Sequence, residues 1–240
     1  MGNCAQIPPP DLGVLKRRRL TYQIAMRGID GIVLASDRLV KKPGAAWRED
    51  RVSVDNETCK IYKDANGKFA WSFAGDDDAL NVAEYYSRRI GEWDRKIPLA
   101  EFLEECADAV VQSREQASYE VIFLDGVRRE LLLVDNRRGH ATASLQTKGI
   151  CFAGQSSNRA SVLASYYYRN DLSVGALVQL AAYSVKTAGI IDPEMIRGID
   201  VFIYRDSNSI VEELPRETAE RAAAHLESGI CSLVQSFLLP

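Results

Sequence analysis

The residues that could carry chemistry are few in this sequence. It has only two histidines, His140 and His225, so a mechanism that needs a Ser/His or Cys/His pair must use one of them. The five cysteines are widely spaced and form no C-x-x-C pair, which argues against a zinc site and against a disulfide framework. We therefore expect a cytoplasmic protein that uses no metal ion and no other cofactor.

The common short motifs of nucleotide and hydrolase sites are also missing. The sequence has no G-x-x-x-x-G-K-[ST], no G-x-G-x-x-G after a strand, no G-x-S-x-G and no H-E-x-x-H. The net charge of -3 gives no general electrostatic case for binding nucleic acid or an anionic membrane. No uninterrupted apolar stretch approaches the length of about 18 residues that a transmembrane helix needs, so none is expected.

What remains is Thr21, which stands at the edge of the first predicted strand. It is followed by the segment DGIVLASDR, which begins at Asp30, and by CKIYK, which begins at Cys59. Alone, each of these residues reads as an ordinary strand, turn or surface residue. Whether they could form one site depends on their order and spacing and on the strands and helices that position them.

Apolar alternation and turn signals predict a series of strands. The predicted strands are Tyr22 to Arg27, Ile32 to Ser36, Cys59 to Tyr62, Lys68 to Ala74, Tyr119 to Asp125, Glu130 to Asp135, Thr142 to Leu145, Gly149 to Ala153 and Ile199 to Tyr204. Between them, helical spacing predicts a helix over Leu80 to Ile90, one opened by Pro98, and others at Ser156 to Tyr168, Ser173 to Lys186 and Glu217 to Phe237. Runs of strands that alternate with pairs of helices favour two sheets packed face to face, with helices outside each.

The ordered set of segments resembles the proteasome and its bacterial relatives. The match consists of Thr21-Tyr-Gln-Ile-Ala-Met-Arg, Asp30-Gly-Ile-Val-Leu-Ala-Ser-Asp37-Arg, Lys60-Ile-Tyr, Ser72-Phe-Ala-Gly75, Cys151-Phe-Ala-Gly154 and Ile199-Asp-Val-Phe-Ile. It covers about residues 21 to 210, and the Thr-Tyr start is most similar to the small bacterial proteasome-like proteins called ancestral beta subunits. The resemblance implies an α+β fold, the four-layer αββα sandwich of two antiparallel sheets found in N-terminal-nucleophile hydrolases.

By this resemblance, Thr21 is the nucleophile of a threonine-type peptidase, and its own α-amine is the general base. An α-amine titrates near pH 8, so it can accept a proton in the cytoplasm. Lys60 is implied as the activator that stabilises the developing anion, and Asp37 as the carboxylate that holds Lys60 charged. Asp37 follows Thr21 at the family's spacing, whereas Lys60 requires an insertion, which the loop around Pro43 to Arg51 supplies.

Two further residues are implied by the same resemblance. Gly75, at a strand end before a helix, matches the family glycine whose N–H stabilises the oxyanion. Asp192 matches a carboxylate that orients the threonine amine. The sequence departs from the family pattern at Met195 and Gln155, where the family has serines, and the departures put the amine-orienting network in question. We expect the specificity pocket to include residues near Phe73.

The first 20 residues, with Pro8 to Pro10 and a basic run at Lys16 to Arg19, are predicted to form a leader ahead of one domain that spans residues 21 to 240. The mechanism requires a free amine on Thr21, and three explanations are open. The leader is cut autocatalytically after Leu20, or the true start is Leu20 read from a TTG codon as an initiator methionine, or the leader stays and the protein is inactive. We favour the second explanation.

Two other functions remain open at this point. Alpha-type ring subunits share the fold and do not catalyse, but they generally lack the Asp/Lys pair that Asp37 and Lys60 form here. An amide hydrolase of the same nucleophile class would act on a small molecule. As a peptidase, the chain is expected to act on unfolded protein or peptides, to assemble into a ring of identical subunits, and to work with an ATP-dependent unfoldase if it has such a partner.

Overall fold

The computed structural model describes residues 21–39, 58–75, 77–111, 119–137, 139–194 and 196–238. The predicted leader, the predicted loop from Lys41 to Val54 and the departure at Met195 lie outside these residues.

Strands and helices follow one another along the described chain in the order that the apolar patterns predict. The strands are β1 (Tyr22–Arg27), β2 (Gly31–Ser36), β3 (Ile61–Lys63), β4 (Phe69–Gly75), β5 (Tyr119–Asp125), β6 (Glu130–Arg137), β7 (His140–Leu145), β8 (Ile150–Gly154), β9 (Asp200–Arg205) and β10 (Ile210–Glu213). The helices are α1 (Asp77–Arg89), α2 (Leu99–Val110), α3 (Arg159–Tyr167), α4 (Val174–Ile191) and α5 (Arg216–Leu238), with a short 3-10 turn at Ile90–Glu92.

The strands form two five-stranded antiparallel sheets. The first has the order β10-β9-β2-β1-β8 and the second the order β3-β4-β5-β6-β7. Hydrogen-bonded neighbours in both sheets run antiparallel. Strand β1 lies between β2 and β8 in the first sheet, so the start of the described chain is an interior strand of that sheet.

Three apolar clusters hold these layers together. Small and branched side chains, among them Ala25, Ile122 and Ala153, fill the space between the two sheets. Alternate residues of the same strands face outward, so Tyr22 and Ile24 pack under α3 and α4 while Trp71 and Phe123 pack under α1 and α2. The period of two along each strand therefore builds both cores, and the result is the predicted αββα sandwich.

Helix α4 is the most apolar helix of the described chain. By length and composition it could cross a membrane, with a mean hydropathy of 1.4 over its 18 residues. No membrane span is predicted there, because Gln179 and Lys186 interrupt the apolar run. Half of the helix is buried, and it packs against β1, β2 and α5, as expected for a core helix of this fold.

The remaining differences between prediction and structure are local. The prediction missed β10, a four-residue edge strand in which only Val211 is buried, because its apolar signal is too short. Helix α3 was predicted three residues too early, since Asn158 caps it by accepting the N–H of Ala160. Helix α4 continues five residues beyond its predicted end at Lys186. None of these differences changes the layers.

Candidate active site

Thr21 lies at the start of β1, in the gap between the two sheets. It is 6% exposed, and its carbonyl oxygen accepts a hydrogen bond from the main-chain N–H of Gln155 at 2.8 Å. The β1–β8 register pairs Tyr22 with Gly154, which brings the segment after β8 alongside Thr21. Main-chain hydrogen bonding therefore fixes the position of Thr21, and its side chain is available for other contacts.

The ammonium group of Lys60 joins the side chains of Thr21 and Asp37. Lys60 Nζ donates to Thr21 Oγ1 at 2.9 Å and to Asp37 Oδ2 at 2.8 Å. Lys60 is 2% exposed and Asp37 is fully buried. The structure thus brings together three residues that stand 16 and 23 positions apart in the chain, in the arrangement that the sequence resemblance implies.

The β1–β2 hairpin explains the position of Asp37. The register pairs Gln23 with Ser36, so the next residue along, Asp37, lies opposite Tyr22. Its carboxylate accepts the main-chain N–H of Tyr22 at Oδ1, 2.8 Å, and that of Leu39 at Oδ2, 3.0 Å. Three donors therefore fix this carboxylate, and its place next to Thr21 follows from the hairpin.

Burial opposes both charges of this ion pair. It lowers the pKa of Lys60 below its ordinary value, against the effect of the negative charges of Asp37 and Asp200. It raises the pKa of Asp37, against the effects of Lys60 and of the N–H donors of Tyr22 and Leu39. Burial thus disfavours the charged form of each group, whereas the attraction between the two groups and the N–H donors to Asp37 favour it.

The second sheet supplies Lys60 and a polar link to the first. Lys60 immediately precedes β3, whose Ile61 pairs with Ser72 of β4. The Ser72 hydroxyl donates to the buried amide of Gln23 at 2.9 Å, and that amide donates in turn to the carbonyl of Phe73. Gln23 is not among the predicted site residues, although a glutamine inside an apolar strand is a signal of a buried polar contact.

Phe73 and Gly75 lie on β4, close to this link. The Phe73 side chain is largely buried and lies 6.0 Å from the ring of Tyr62 between ring centres. Gly75 ends β4 with φ +145°, a backbone conformation that favours glycine, and it is exposed. The specificity pocket expected near Phe73 and the role of Gly75 as an oxyanion donor remain predictions.

Gly154 is a glycine because Thr21 is so close to it. A Cβ at this position would overlap the carbonyl oxygen of Thr21, and the backbone has φ +77°. Its N–H donates to the Glu120 carboxylate, which reaches across from the second sheet, at 2.6 Å. The close approach of β8 to Thr21 therefore depends on the absence of a side chain, and the sequence resemblance matched Gly154 without explaining it.

Asp192 caps the C-terminus of α4 and contacts Gln155 rather than a serine. Gln155 Nε2 donates to Asp192 Oδ2 at 3.0 Å, and Asn158 Nδ2 donates to Gln155 Oε1 at 3.3 Å. Because the main chain of Gln155 also contacts Thr21, Asp192 is linked to Thr21 through a single residue. Gln155, which stands where the family has a serine, thus forms its own hydrogen bond with Asp192.

Metal ligands do not cluster within the described ranges. Those residues contain no group of three or more His, Cys, Asp or Glu side chains that could hold a metal ion. Cys59, Cys106, Cys151 and Cys231 are free thiols.

Comparison with known proteins finds similarity in structure but not in sequence. No protein-family model matches the chain, and no curated protein matches it in sequence. Anbu, the ancestral beta-subunit, from Yersinia bercovieri has a TM-score of 0.64 at 17% identity, covering 91% of this chain and 98% of its own. The helical assembly of the Anbu complex from Pseudomonas aeruginosa gives 0.64 at 15% identity, covering 91% and 97%.

Eukaryotic HslV from Trypanosoma brucei is a more distant match. It has a TM-score of 0.54 at 21% identity, covering 77% of this chain and 99% of its own. At these identities the matches establish the fold, and the predicted α+β sandwich of two antiparallel sheets is confirmed.

Proposed function

We propose that this chain is a threonine-type peptidase of the proteasome family, which hydrolyses peptide bonds with the hydroxyl of Thr21. The contact of Lys60 with both Thr21 Oγ1 and Asp37 Oδ2 carries this proposal. The shared fold with Anbu and HslV and the sequence resemblance support it.

The cost of burying the ion pair favours catalysis over a purely structural role. Removing two charges from water costs several kcal/mol per ion, and apolar replacements of such pairs are often neutral or stabilising. A subunit that only builds a ring gains nothing from a buried Lys60–Asp37 pair that points at a hydroxyl. A nucleophile gains a positive charge next to the oxygen on which negative charge develops.

In the proposed first step, the Oγ of Thr21 attacks the carbonyl carbon of the substrate, and its proton passes to the α-amine of the same residue. Lys60 stabilises the oxygen as it loses this proton, and Asp37 holds Lys60 in place. The oxyanion that forms on the substrate accepts the N–H of Gly75. Asp192 helps to orient the amine, acting through its link to Gln155.

In the second step, the carbon–nitrogen bond breaks and the α-ammonium group gives its proton to the departing nitrogen. The acyl group remains on Thr21 as an ester. A water molecule then attacks this ester, the α-amine takes a proton from the water, and the Thr21 hydroxyl is restored when the ester bond breaks. Each proton that leaves one atom is accepted by another, so no further reactant is required.

This mechanism needs Thr21 to be the first residue of the mature chain. In a chain that keeps the leader, the Thr21 nitrogen is part of a peptide bond and cannot act as a base. We favour a start at Leu20 followed by its removal, and the intact mass of the protein expressed from its native gene tests this. A mass that includes residues upstream of Thr21 contradicts it.

The activity itself is tested with a chain released from a fusion so that Thr21 is its first residue. We expect hydrolysis of fluorogenic peptides and of an unfolded protein, and no hydrolysis by the Thr21→Ala variant. A peptide with an electrophilic carbonyl should leave a mass adduct on Thr21 of the wild type only. Equal rates for the wild type and Thr21→Ala would exclude Thr21 as the nucleophile.

We further propose a cytoplasmic enzyme that assembles with copies of itself, which would confine unfolded protein or peptide substrates with the active sites. Free thiols at four cysteines agree with a reducing compartment. Self-assembly is supported by analogy with the helical assembly of the Anbu complex, and native mass spectrometry measures it. An ATP-dependent unfoldase is a possible additional partner of such an assembly, and co-purification from the native cell tests it.

A further inference from the structure

A second buried carboxylate, Asp200, lies beside the candidate site and has no part in the mechanism above. It is the first residue of β9, and the register pairs it with Ser36, the residue before Asp37. Its side chain is 3% exposed, and its Oδ1 forms an ion pair with the guanidinium of Arg38. Its Oδ2 is buried, and the side chain of Cys59 lies within hydrogen-bonding range of the Asp200 carboxylate.

The Arg38 side chain packs closely against the main chain of a neighbouring segment. Its main-chain N–H donates to the carbonyl of Arg197 at 2.7 Å. Its Cβ, Cγ and Cδ lie 2.9 to 3.1 Å from the position that a Cβ on Gly198 would occupy, and Gly198 has φ +69°. A side chain at position 198 would therefore displace Arg38, and the backbone conformation there favours glycine.

Asp200 lies on the same face of β9 as Phe202 and Tyr204, which pack between the two sheets beside Cys59, so it faces the layer in which Lys60 and its neighbours lie. Burial, and then the negative charge of Asp200, raises the pKa of the Cys59 thiol to about 12. Asp200 also raises the pKa of Lys60, in the same sense as Asp37 and against the effect of burial.

The charged surroundings of Lys60 come from three strands. The ammonium contacts the Thr21 hydroxyl at the start of β1 and Asp37 at the end of β2, and the negative charge of Asp200 at the start of β9 acts on it. Arg38 forms an ion pair with Asp200 and balances its charge. The set thus holds two anions and two cations, so a second carboxylate supports Lys60 without adding net negative charge to the interior.

We propose that Asp200 is a positioning residue of the candidate site, and that its oriented pair with Arg38 keeps Lys60 in the ammonium form beside the Thr21 hydroxyl. The inference rests on the proposed function, in which that ammonium stabilises the attacking oxygen. A purely structural pair, which only ties the chain after β2 to β9, is the competing explanation. The two differ in what happens to the protonation of Lys60.

The decisive measurement is the titration midpoint of Lys60, which does not depend on activity. It is followed by NMR of protein labelled with 13Cε-lysine, in which Lys60→Arg assigns the Lys60 signal. We expect Asp200→Asn to lower the midpoint by roughly one pH unit, because it removes a nearby negative charge. Arg38→Gln should raise it, because it removes a positive charge and still offers a hydrogen bond to Asp200.

Opposite shifts in the two variants separate electrostatics from damage to the structure. Loss of a structural pair destabilises the protein in both variants and gives no reason for opposite shifts. Arg38→Lys, which keeps the charge, should leave the midpoint near that of the wild type. Asp206→Asn is a matched control, since Asp206 pairs with Arg129 just beyond the other end of β9.

Kinetics provide the second readout. If the proposed function holds, the alkaline limb of the pH profile of kcat/KM shifts down in Asp200→Asn and up in Arg38→Gln. If the wild type does not hydrolyse peptides, the proposed function fails, and the NMR titration still decides the coupling of Asp200 to Lys60. Should Asp200→Asn not fold, Arg38→Gln and the double variant remain, the latter with a midpoint near that of the wild type. Midpoints that stay unchanged, or shift in the same direction in both single variants, overturn the inference.

Discussion

The main-chain N–H of Gln155 donates a hydrogen bond to the carbonyl oxygen of Thr21, and the side-chain amide of the same Gln155 donates to Asp192. One residue thus contacts both the proposed nucleophile and the carboxylate proposed to orient its amine. An amide cannot relay a proton as a hydroxyl can, so Gln155 fixes Asp192 but does not transfer protons.

Truncating this amide should slow catalysis. Gln155→Ala keeps the main-chain hydrogen bond to Thr21 and removes the donor that holds Asp192. We expect kcat to fall about tenfold with little change in KM, because a hydrogen bond to a charged group contributes roughly 1.5–3 kcal/mol. Steady-state kinetics on a fluorogenic peptide measures this, with the neighbouring exposed Ser156→Ala as control. An unchanged kcat would show that Asp192 needs no help from Gln155.

Adding a methyl group at Gly154 should disable the site through the backbone. Its Cβ would overlap the Thr21 carbonyl oxygen, and alanine is strained at φ +77°. We expect Gly154→Ala to lower the free energy of unfolding by about 1–3 kcal/mol and to abolish activity. Urea unfolding and peptide hydrolysis measure the two effects.

Gly229→Ala is the matched control for Gly154→Ala. Apart from its own helix backbone, the described part of the chain places no atom within 4 Å of the position that its Cβ would take, and Gly229 is inside α5. This variant should stabilise the protein by up to about 1 kcal/mol, because alanine favours helix over glycine. Similar behaviour of the two variants would contradict the close approach of β8 to Thr21.

The apolar alternation of the strands predicted the layers, whereas the trio of Thr21, Asp37 and Lys60 was implied by the resemblance of short segments to the proteasome family. Strand alternation and the hairpin between β1 and β2 are read within short windows, and the hairpin alone places Asp37 opposite Tyr22. Lys60 was implied by the resemblance of its segment Lys60-Ile-Tyr, and the strand that follows it also has an apolar signal of its own.

Contacts between distant parts of the chain could not be predicted in this way. The Arg38–Asp200 pair joins residues that are 162 positions apart, and it depends on the packing of β9 beside β2. The same holds for Gln155, whose side chain meets Asp192 only because the end of α4 lies near the start of α3. No window of sequence contains either relationship.

The Lys60–Asp37 pair should show a large coupling in stability. Lys60→Met leaves Asp37 as a buried charge without its counter-ion, and Asp37→Asn does the same to Lys60. Each change is expected to cost about 3–5 kcal/mol. The double variant leaves neither charge without its counter-ion, so its loss should be smaller than the sum of the two single losses by at least about 2 kcal/mol. Urea unfolding of the four proteins measures the cycle, and strictly additive losses would contradict the contact.

The pH dependence of stability should follow from the same two groups, with the double variant, which lacks both charges, as reference. The pKa of Lys60 is lowered by folding, so above it the unfolded chain holds more protons, and the wild type gains stability relative to the reference as the pH rises toward about 10.4. The pKa of Asp37 is raised by folding, so the wild type also gains as the pH falls through that value toward about 3.9. Between these two pH windows, the free energy of unfolding of the wild type should therefore be lowest relative to that of the double variant. If the wild type is instead most stable relative to the double variant near neutral pH, the charges of the pair stabilise the fold. The argument that burying the pair is costly, which supports a catalytic role, would then fail.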